Sequence, residues 1–119
     1  MATPPPAWEI ERRVTPEKIA AVVERLAAFA RPSRIVIFGS AARDELRSTS
    51  DLDVLVIMHD EVKDWRAESV RMRQQVLDID VPLDLFVVDE AEAAWKVHHP
   101  VSMVGEWLRT GKVVYEAAK

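Results

Sequence analysis

The sequence predicts a small α/β (α+β) domain with a sheet of at least three strands. Three short and almost wholly apolar runs have the length of buried strands, at residues 35–38, 52–58 and 83–88. Stretches with helical apolar spacing flank and separate these runs. The strand directions do not follow from this pattern, although the interval between the first two strands is short for a parallel crossover.

The first helix has clear sequence boundaries. Thr15 provides an N-cap hydroxyl, Pro16 suits the first helical position and Glu17 places an acid in the first turn. The apolar stripe ends near Arg31, which precedes a proline. After the first strand, a brief helix is predicted over residues 41–46.

Three further helices are predicted in the second half of the chain. Apolar spacing predicts one over residues 61–78, and Asp89 caps another that runs through residues 90–97. A last helix over residues 101–110 ends at Gly111, and residues 112–115 form either a short edge strand or an extended tail. The tryptophans on these helices are expected in the core: Trp65, Trp95 and Trp107. Alternatively, Trp107 and Met103 form an exposed apolar patch for a partner.

Composition limits the class of protein. The 119 residues fit a single domain over residues 13–119 behind a loose proline-containing tail over residues 1–12. The net charge of −4 argues against direct DNA binding, and the lack of cysteine excludes disulfides and thiolate metal sites. No apolar run approaches the ~20 residues that span a bilayer, and the N-terminus does not resemble a signal peptide, so a cytoplasmic protein is expected. The edge strand would leave homo-oligomerisation open.

Three acids interrupt apolar strands and are the candidates for chemistry. Asp51 and Asp53 lie two residues apart, so a strand directs both side chains to one face, and Asp84 interrupts the third strand in the same way. Any one of them could pair with a basic side chain or face solvent. Together they favour a site for a hard divalent cation, because a cation removes the repulsion between neighbouring carboxylates.

A Gly39-Ser40 turn follows the first strand and opens a short helix. Backbone N–H groups and a hydroxyl at this position are suited to phosphate oxygens, and glycine allows a ligand to approach the backbone. Such a turn is weak evidence by itself. Its distance from the carboxylate pair makes a combined metal and phosphate site the preferred interpretation.

This combination resembles the nucleotidyltransferases related to DNA polymerase β. The pattern is Gly-Ser, ten residues, Asp-x-Asp and a later acid on a strand, and the local sequence over residues 38–43 and 50–56 is especially similar to the minimal nucleotidyltransferases. Those small proteins are often paired with a HEPN-domain protein in toxin–antitoxin systems. The resemblance implies the polymerase-β-like fold, a small mixed sheet packed by helices.

The resemblance also implies roles for individual residues. Asp51 and Asp53 would hold two Mg²⁺ ions that clamp ATP, and Asp84 would complete the catalytic and metal-binding set. Gly39 and Ser40 would contact the terminal phosphates of the nucleotide.

Arg43 would assist phosphate binding, as the arginine after Gly-Ser-x-Ala does in the family. Asp44 departs from the family pattern, which often has glycine there, and adds negative charge near the phosphate loop.

Two functions follow. The first is an enzyme that transfers AMP from ATP to a hydroxyl of a partner protein, as the antitoxin of a HEPN–MNT pair. The second is a non-catalytic antitoxin of the same fold that neutralises its partner by occlusion. A basic face on the 61–78 helix is either solvated or a docking surface for an acidic partner: Lys63, Arg66, Arg71 and Arg73.

Overall fold

A computed structural model describes residues 4, 13–39, 51–99 and 101–118. Its elements in chain order are α1 (Pro16–Ala30), β1 (Arg34–Phe38), β2 (Leu52–Met58), α2 (Trp65–Gln74), β3 (Leu83–Asp89), α3 (Glu90–Lys96), α4 (Met103–Thr110) and β4 (Lys112–Glu116). Most of the predicted tail over residues 1–12 and all of the predicted short helix over residues 41–46 lie outside the described residues. No described helix has both the length and the apolar character that crossing a membrane requires.

The ends of α1 and α3 are where the sequence predicts them. The Thr15 side chain accepts a hydrogen bond from the Lys18 backbone N–H at 3.2 Å, and Arg31 ends α1 in the left-handed conformation with φ of 48°. Asp89 caps α3 by accepting from the Glu92 backbone N–H at 2.8 Å. Side-chain caps of this kind satisfy N–H groups that lack a partner within the helix.

The other two helices are shorter than predicted. Asp64 caps the start of α2. The helix ends at Gln74, because hydrogen bonds of the i→i−3 type form the turns that follow. Val76 nevertheless remains buried, so the apolar pattern continues beyond the helix. Ser102 caps α4 by accepting from the Gly105 N–H, which delays the start of that helix to Met103.

The four strands form one mixed sheet in the order β3-β2-β1-β4. β1 is antiparallel to both β2 and β4, whereas β2 and β3 are parallel. The short interval after β1 therefore leads into an antiparallel neighbour. β4 is an edge strand, which resolves the alternative left open by the sequence, and its pairing with β1 contains a bulge between Ile35 and Val36.

Helices cover both faces of the sheet. On one face, α1 and α2 contribute Val22, Leu26 and Met72 to a core with Val54 and Val56 of β2. On the other face, α3 and α4 pack over a second cluster, which includes Leu55 and Ile57 of β2. Because alternate residues of β2 supply the two cores, Asp53 belongs to the face covered by α3 and α4.

The tryptophan predictions are correct for one residue of three. Trp107 packs against the second core, whereas Trp65 is 51% exposed and Trp95 is 60% exposed. α3 has only seven residues and turns Ala93 inward, so its tryptophan faces outward and contacts the His99 ring at a centroid distance of 3.7 Å. Met103 is also exposed, at 67%, which agrees with the alternative prediction that it belongs to an exposed apolar patch.

Candidate active site

The register of the parallel pair β2–β3 brings two of the candidate acids together. Asp53 is paired with Asp84, as Leu52 is paired with Leu83. Neighbouring strands lie about 4.8 Å apart and paired residues direct their side chains to the same face, so the two carboxyl groups are adjacent. Asp51 immediately precedes β2, two residues from Asp53 and at the same end of the sheet.

Asp53 experiences the electrostatic effect of both other acids. Partial burial is the largest cause that raises the pKa of Asp53, from 3.8 to about 6. The negative charges of Asp84 and Asp51 raise it further, as does a hydrogen bond between the Asp53 and Asp84 carboxyl groups. Two carboxyl groups can form that bond only if one of them carries a proton, so without a cation the pair tends to retain one.

The three acids differ in their access to solvent. Asp53 is partly buried, whereas Asp51, which precedes it by two residues, and Asp84 on the neighbouring strand are exposed. A ligand can therefore reach the outer two acids directly and meets the third at the base of the site. The structure therefore pairs Asp53 with Asp84 and places Asp51 at the same end of the sheet, two residues before Asp53.

Gly39 lies against the Asp53 carboxylate from the neighbouring strand. β1 ends at Phe38, which is paired with Asp53, and Gly39 follows with φ of 71°. A Cβ atom on Gly39 would lie 2.5 Å from Asp53 Oδ2. Both the backbone conformation and the contact therefore require glycine, and the turn is held directly beside the acids.

An aromatic cluster extends from the acids toward α4. The ring of Phe38 stacks on that of Trp107 at a centroid distance of 4.2 Å, and Phe86 contacts Trp107 at 4.7 Å. Phe38 is the cross-strand partner of Asp53, and Phe86 lies two residues after Asp84 on the same face. The cluster lowers the polarity beside the acids, which fits the burial of Asp53. The alternation of side chains along β1 and β3 is the sequence signal that places both phenylalanines on the face of Asp53 and Asp84.

A cavity of about 620 Å³ opens at the same end of the sheet. Asp51 lines it, together with Arg73 from the end of α2 and Leu83 from the start of β3. Arg73 is exposed, and its Nη1 atom donates to the Leu83 carbonyl at 3.1 Å. Two arginines of the basic face predicted on α2 therefore have different surroundings. Arg71 pairs with Glu68, whereas Arg73 reaches the edge of the candidate site.

Comparison with known proteins places this arrangement in a family. The model of the nucleotidyltransferase domain matches residues 17–104, which is most of the chain. The protein is a member of the nucleotidyltransferase domain family. No curated protein sequence matches the chain significantly.

Two solved structures share the nucleotidyltransferase fold of this chain. One is described as a nucleotidyltransferase from Sulfolobus solfataricus, with 20% identity and a TM-score of 0.59, covering 92% of this chain and 84% of that one. The other belongs to a toxin–antitoxin structure with AMP-PNP, with 19% identity and a TM-score of 0.54, covering 87% and 75%. At these identities the similarity establishes the fold, and it confirms the predicted mixed sheet packed by helices.

The donor set of this nucleotidyltransferase domain fits a hard cation. Among residues 13–39, 51–99 and 101–118, no three acidic, histidine or cysteine side chains already converge as ligands around one point. Mg²⁺ does not require such a cage, because it is usually held by one or two carboxylates together with water and substrate phosphates. Asp53 and Asp84 supply adjacent oxygens whose mutual repulsion a cation would relieve.

The remaining predicted phosphate-binding residues are not described by the structure. Ser40, Arg43 and the divergent Asp44 lie outside the described residues. Of the predicted phosphate-binding turn, Gly39 is described, and it is adjacent to Asp53.

Proposed function

We propose that this protein is a Mg²⁺-dependent nucleotidyltransferase that transfers AMP from ATP to a hydroxyl group of a partner protein. The observation that carries the proposal is the pairing of Asp53 with Asp84 beside Asp51 and Gly39. The family match supports the reaction class. The nucleotide, the metal and the acceptor are the parts that experiment must test.

The three acids would hold the divalent cation. Mg²⁺ would supply charge stabilisation for the attacking and leaving oxygens of an in-line displacement at phosphorus. Asp51 and Asp53 would orient the triphosphate through the bound cation. Asp84 would complete the ligand set on the neighbouring strand.

Asp84 and the Gly39-Ser40 turn would accept the proton and bind the phosphates, respectively. The acceptor hydroxyl oxygen attacks the α-phosphorus of ATP, the bond from this phosphorus to the bridging oxygen breaks, and pyrophosphate leaves. The exposed Asp84 carboxylate would accept the hydroxyl proton as the new bond forms. Gly39 and Ser40 would bind the terminal phosphates through backbone N–H groups and a hydroxyl, and Arg43 would assist them.

We further propose that the acceptor belongs to the toxin of a toxin–antitoxin pair, a HEPN-domain protein. One structure with the same fold comes from a toxin–antitoxin system solved with a nucleotide analogue. Asp51 and Asp84 are exposed, so a partner protein could present its hydroxyl group to them.

Transfer of label tests this function directly. The protein is incubated with Mg²⁺, ATP labelled in the adenosine moiety and the product of the adjacent gene, and the label is followed to that product. We expect transfer by the parent protein and by the control Asp60→Ala, which removes an exposed acid away from the site. We expect none from the double variant Asp51→Ala/Asp53→Ala. Absence of transfer by the parent protein, or equal transfer by the double variant, contradicts the proposal.

A second candidate is a non-catalytic antitoxin that acts by occlusion. Asp44 favours it, because an acid in the phosphate loop opposes nucleotide binding. Under this alternative, the double variant still neutralises the partner, and calorimetry detects no binding of ATP with Mg²⁺. The enzyme is preferred because occlusion alone gives no reason for three acids to meet on adjacent strands.

A further inference from the structure

The candidate site extends across three neighbouring strands. Gly39 ends β1, Asp53 lies on the central β2 and Asp84 lies on β3, with each strand about 4.8 Å from the next. Beyond β3 there is no further strand in the described sheet, so Asp84 is on the edge strand. The phosphate turn and the open edge are therefore on opposite sides of Asp53.

If the proposed function is correct, this arrangement of the strands determines the direction from which the acceptor hydroxyl attacks the phosphorus. The attacking and leaving oxygens lie roughly in line through the transferred phosphorus. When the terminal phosphates occupy the Gly39 turn, the acceptor hydroxyl must approach from the side of β3. The cavity lined by Asp51, Arg73 and Leu83 opens at that edge.

Arg73 is the cation of this cavity that has no carboxylate partner among the described residues. Its Nη1 atom donates a hydrogen bond to the carbonyl of Leu83, one residue before Asp84. That bond fixes one side of the guanidinium and leaves its other N–H groups for a ligand. The side chain is exposed, so it is accessible at the edge where the acceptor approaches.

The other charges lining the cavity do not neutralise Arg73. Asp78 is paired with Arg25, and Lys18 Nζ donates to the backbone carbonyl of Asp80 at 2.5 Å, which places a second cation beside Asp80. Asp51 would be engaged by the cation and nucleotide of the proposed reaction. The charge left to recognise an acceptor is therefore the positive charge of Arg73.

We propose that Arg73 is a specificity-determining residue that binds a carboxylate beside the acceptor hydroxyl. The ligand class is a protein segment in which an acidic residue neighbours the hydroxyl-bearing residue. The proposal rests on the proposed function, since the direction of attack follows from it. A purely structural role for Arg73, as a cap on the edge strand, makes a different prediction about ligand binding.

Peptide binding separates these roles without relying on catalysis. The probes are two blocked tripeptides, tyrosine between two aspartates and tyrosine between two alanines, titrated in the presence of Mg²⁺ and AMP-PNP. The arginine Nε–Hε signals are observed by NMR while affinity is measured. We expect the acidic peptide to shift the Arg73 signal and to bind about tenfold more tightly, the size of one charge-assisted hydrogen bond.

Three variants make the result specific to Arg73. Arg73→Ala should remove the preference for the acidic peptide. Arg73→Lys, which keeps a positive donor able to contact the Leu83 carbonyl, should retain part of it. The matched control is Arg66→Ala on the same helix, whose guanidinium lies over the Trp65 ring at 5.3 Å and does not line the cavity, and it should keep the full preference.

Each remaining outcome overturns a stated part of the reasoning. If Arg73→Ala keeps the preference, or if the parent protein shows none, Arg73 is only a structural cap and the proposed function is unaffected. If a dinucleoside phosphate with a free 3′-hydroxyl binds at Arg73 in preference to both peptides, the acceptor is a nucleic acid and not an acidic protein segment. If the parent protein binds no Mg²⁺–AMP-PNP, the proposed function fails and the role of Arg73 fails with it.

Discussion

Replacing Asp53 with asparagine tests how the negative charge of Asp53 affects the stability of the folded protein, because the substitution keeps the shape of the side chain and removes its charge. The pKa of Asp53 in the folded state is about 6, compared with 3.8 for the ordinary carboxyl group. Well below pH 4 the group is protonated in both folded and unfolded chains and contributes nothing. Between about pH 4 and pH 6 the unfolded chain releases the proton first, so the folded state becomes progressively less favourable.

The magnitude follows from the difference between the two pKa values. A shift of this size corresponds to about 3 kcal/mol at neutral pH before solvent screening is considered. Because Asp53 is only partly buried, we reduce this to roughly 1–2 kcal/mol. For a domain of this length, Asp53→Asn should therefore raise the melting temperature at pH 7.5 by roughly 3–10 °C in the absence of metal.

Thermal and urea unfolding at pH 7.5 and pH 3 provide the assay. The advantage of Asp53→Asn should be present at pH 7.5 and nearly absent at pH 3. Mg²⁺ with AMP-PNP should stabilise the parent protein and have little effect on the variant, because the variant lacks a ligand oxygen of full charge. Asp60→Asn is the matched control, since it removes one exposed charge and should change stability by less than about 0.5 kcal/mol.

Two results would refute the reasoning. One is an Asp53→Asn variant that is less stable than the parent protein at pH 7.5 without metal. The other is an equal stability difference at both pH values, since a protonation effect must disappear when both states are protonated. Either result would mean that the charged form of Asp53 is not disfavoured by its partial burial and by the negative charges of Asp84 and Asp51.

Two further substitutions test the surroundings of the site, and a third tests the helix cap at the other end of β3. Gly39→Ala should destabilise the protein by roughly 1–3 kcal/mol and abolish stabilisation by nucleotide in a thermal shift assay, because φ is positive and a Cβ meets Asp53 Oδ2; normal nucleotide binding would contradict this. Trp107→Ala should cost roughly 3 kcal/mol in urea unfolding by removing the stack on Phe38, whereas Trp107→Phe should cost less than half as much. Asp89→Ala should cost roughly 1–2 kcal/mol at pH 7, because hydrogen bonds from the backbone N–H groups of Glu92 and Val62 lower the pKa of Asp89. That cost should shrink as the pH falls below about 4, where the unfolded chain takes up the proton first, and it should be lost below the lowered pKa of Asp89 in the folded state. A constant cost would argue against the cap.

Local signals predicted most element boundaries. The N-caps Thr15 and Asp89 and the apolar runs of the strands act over a few residues, so their effect is readable from neighbouring letters. The starts of α2 and α4 were wrong because Asp64 and Ser102 cap these helices later than the apolar spacing suggested. The end of α2 was wrong because its apolar pattern continues into turns where i→i−3 hydrogen bonds replace those of the α-helix. Hydrophobic spacing alone does not distinguish these two backbones.

Burial was harder to predict than secondary structure. Trp65 and Trp95 lie on helical stripes but are exposed, whereas Trp107 stacks on Phe38. The difference depends on how each helix is rotated against the sheet. A helix of seven residues, such as α3, has too few apolar positions to fix that rotation from its own sequence.

The sequence by itself determined that Asp51 and Asp53 share a face, because a strand has a period of two residues. It also indicated that the Gly-Ser turn lies near them. Only the tertiary structure decided that β2 and β3 are parallel with Asp53 opposite Asp84, and that Arg73 reaches the same edge. The register of two strands separated by a helix depends on how both pack against the cores, so no local pattern encodes the contact between the second and third acids.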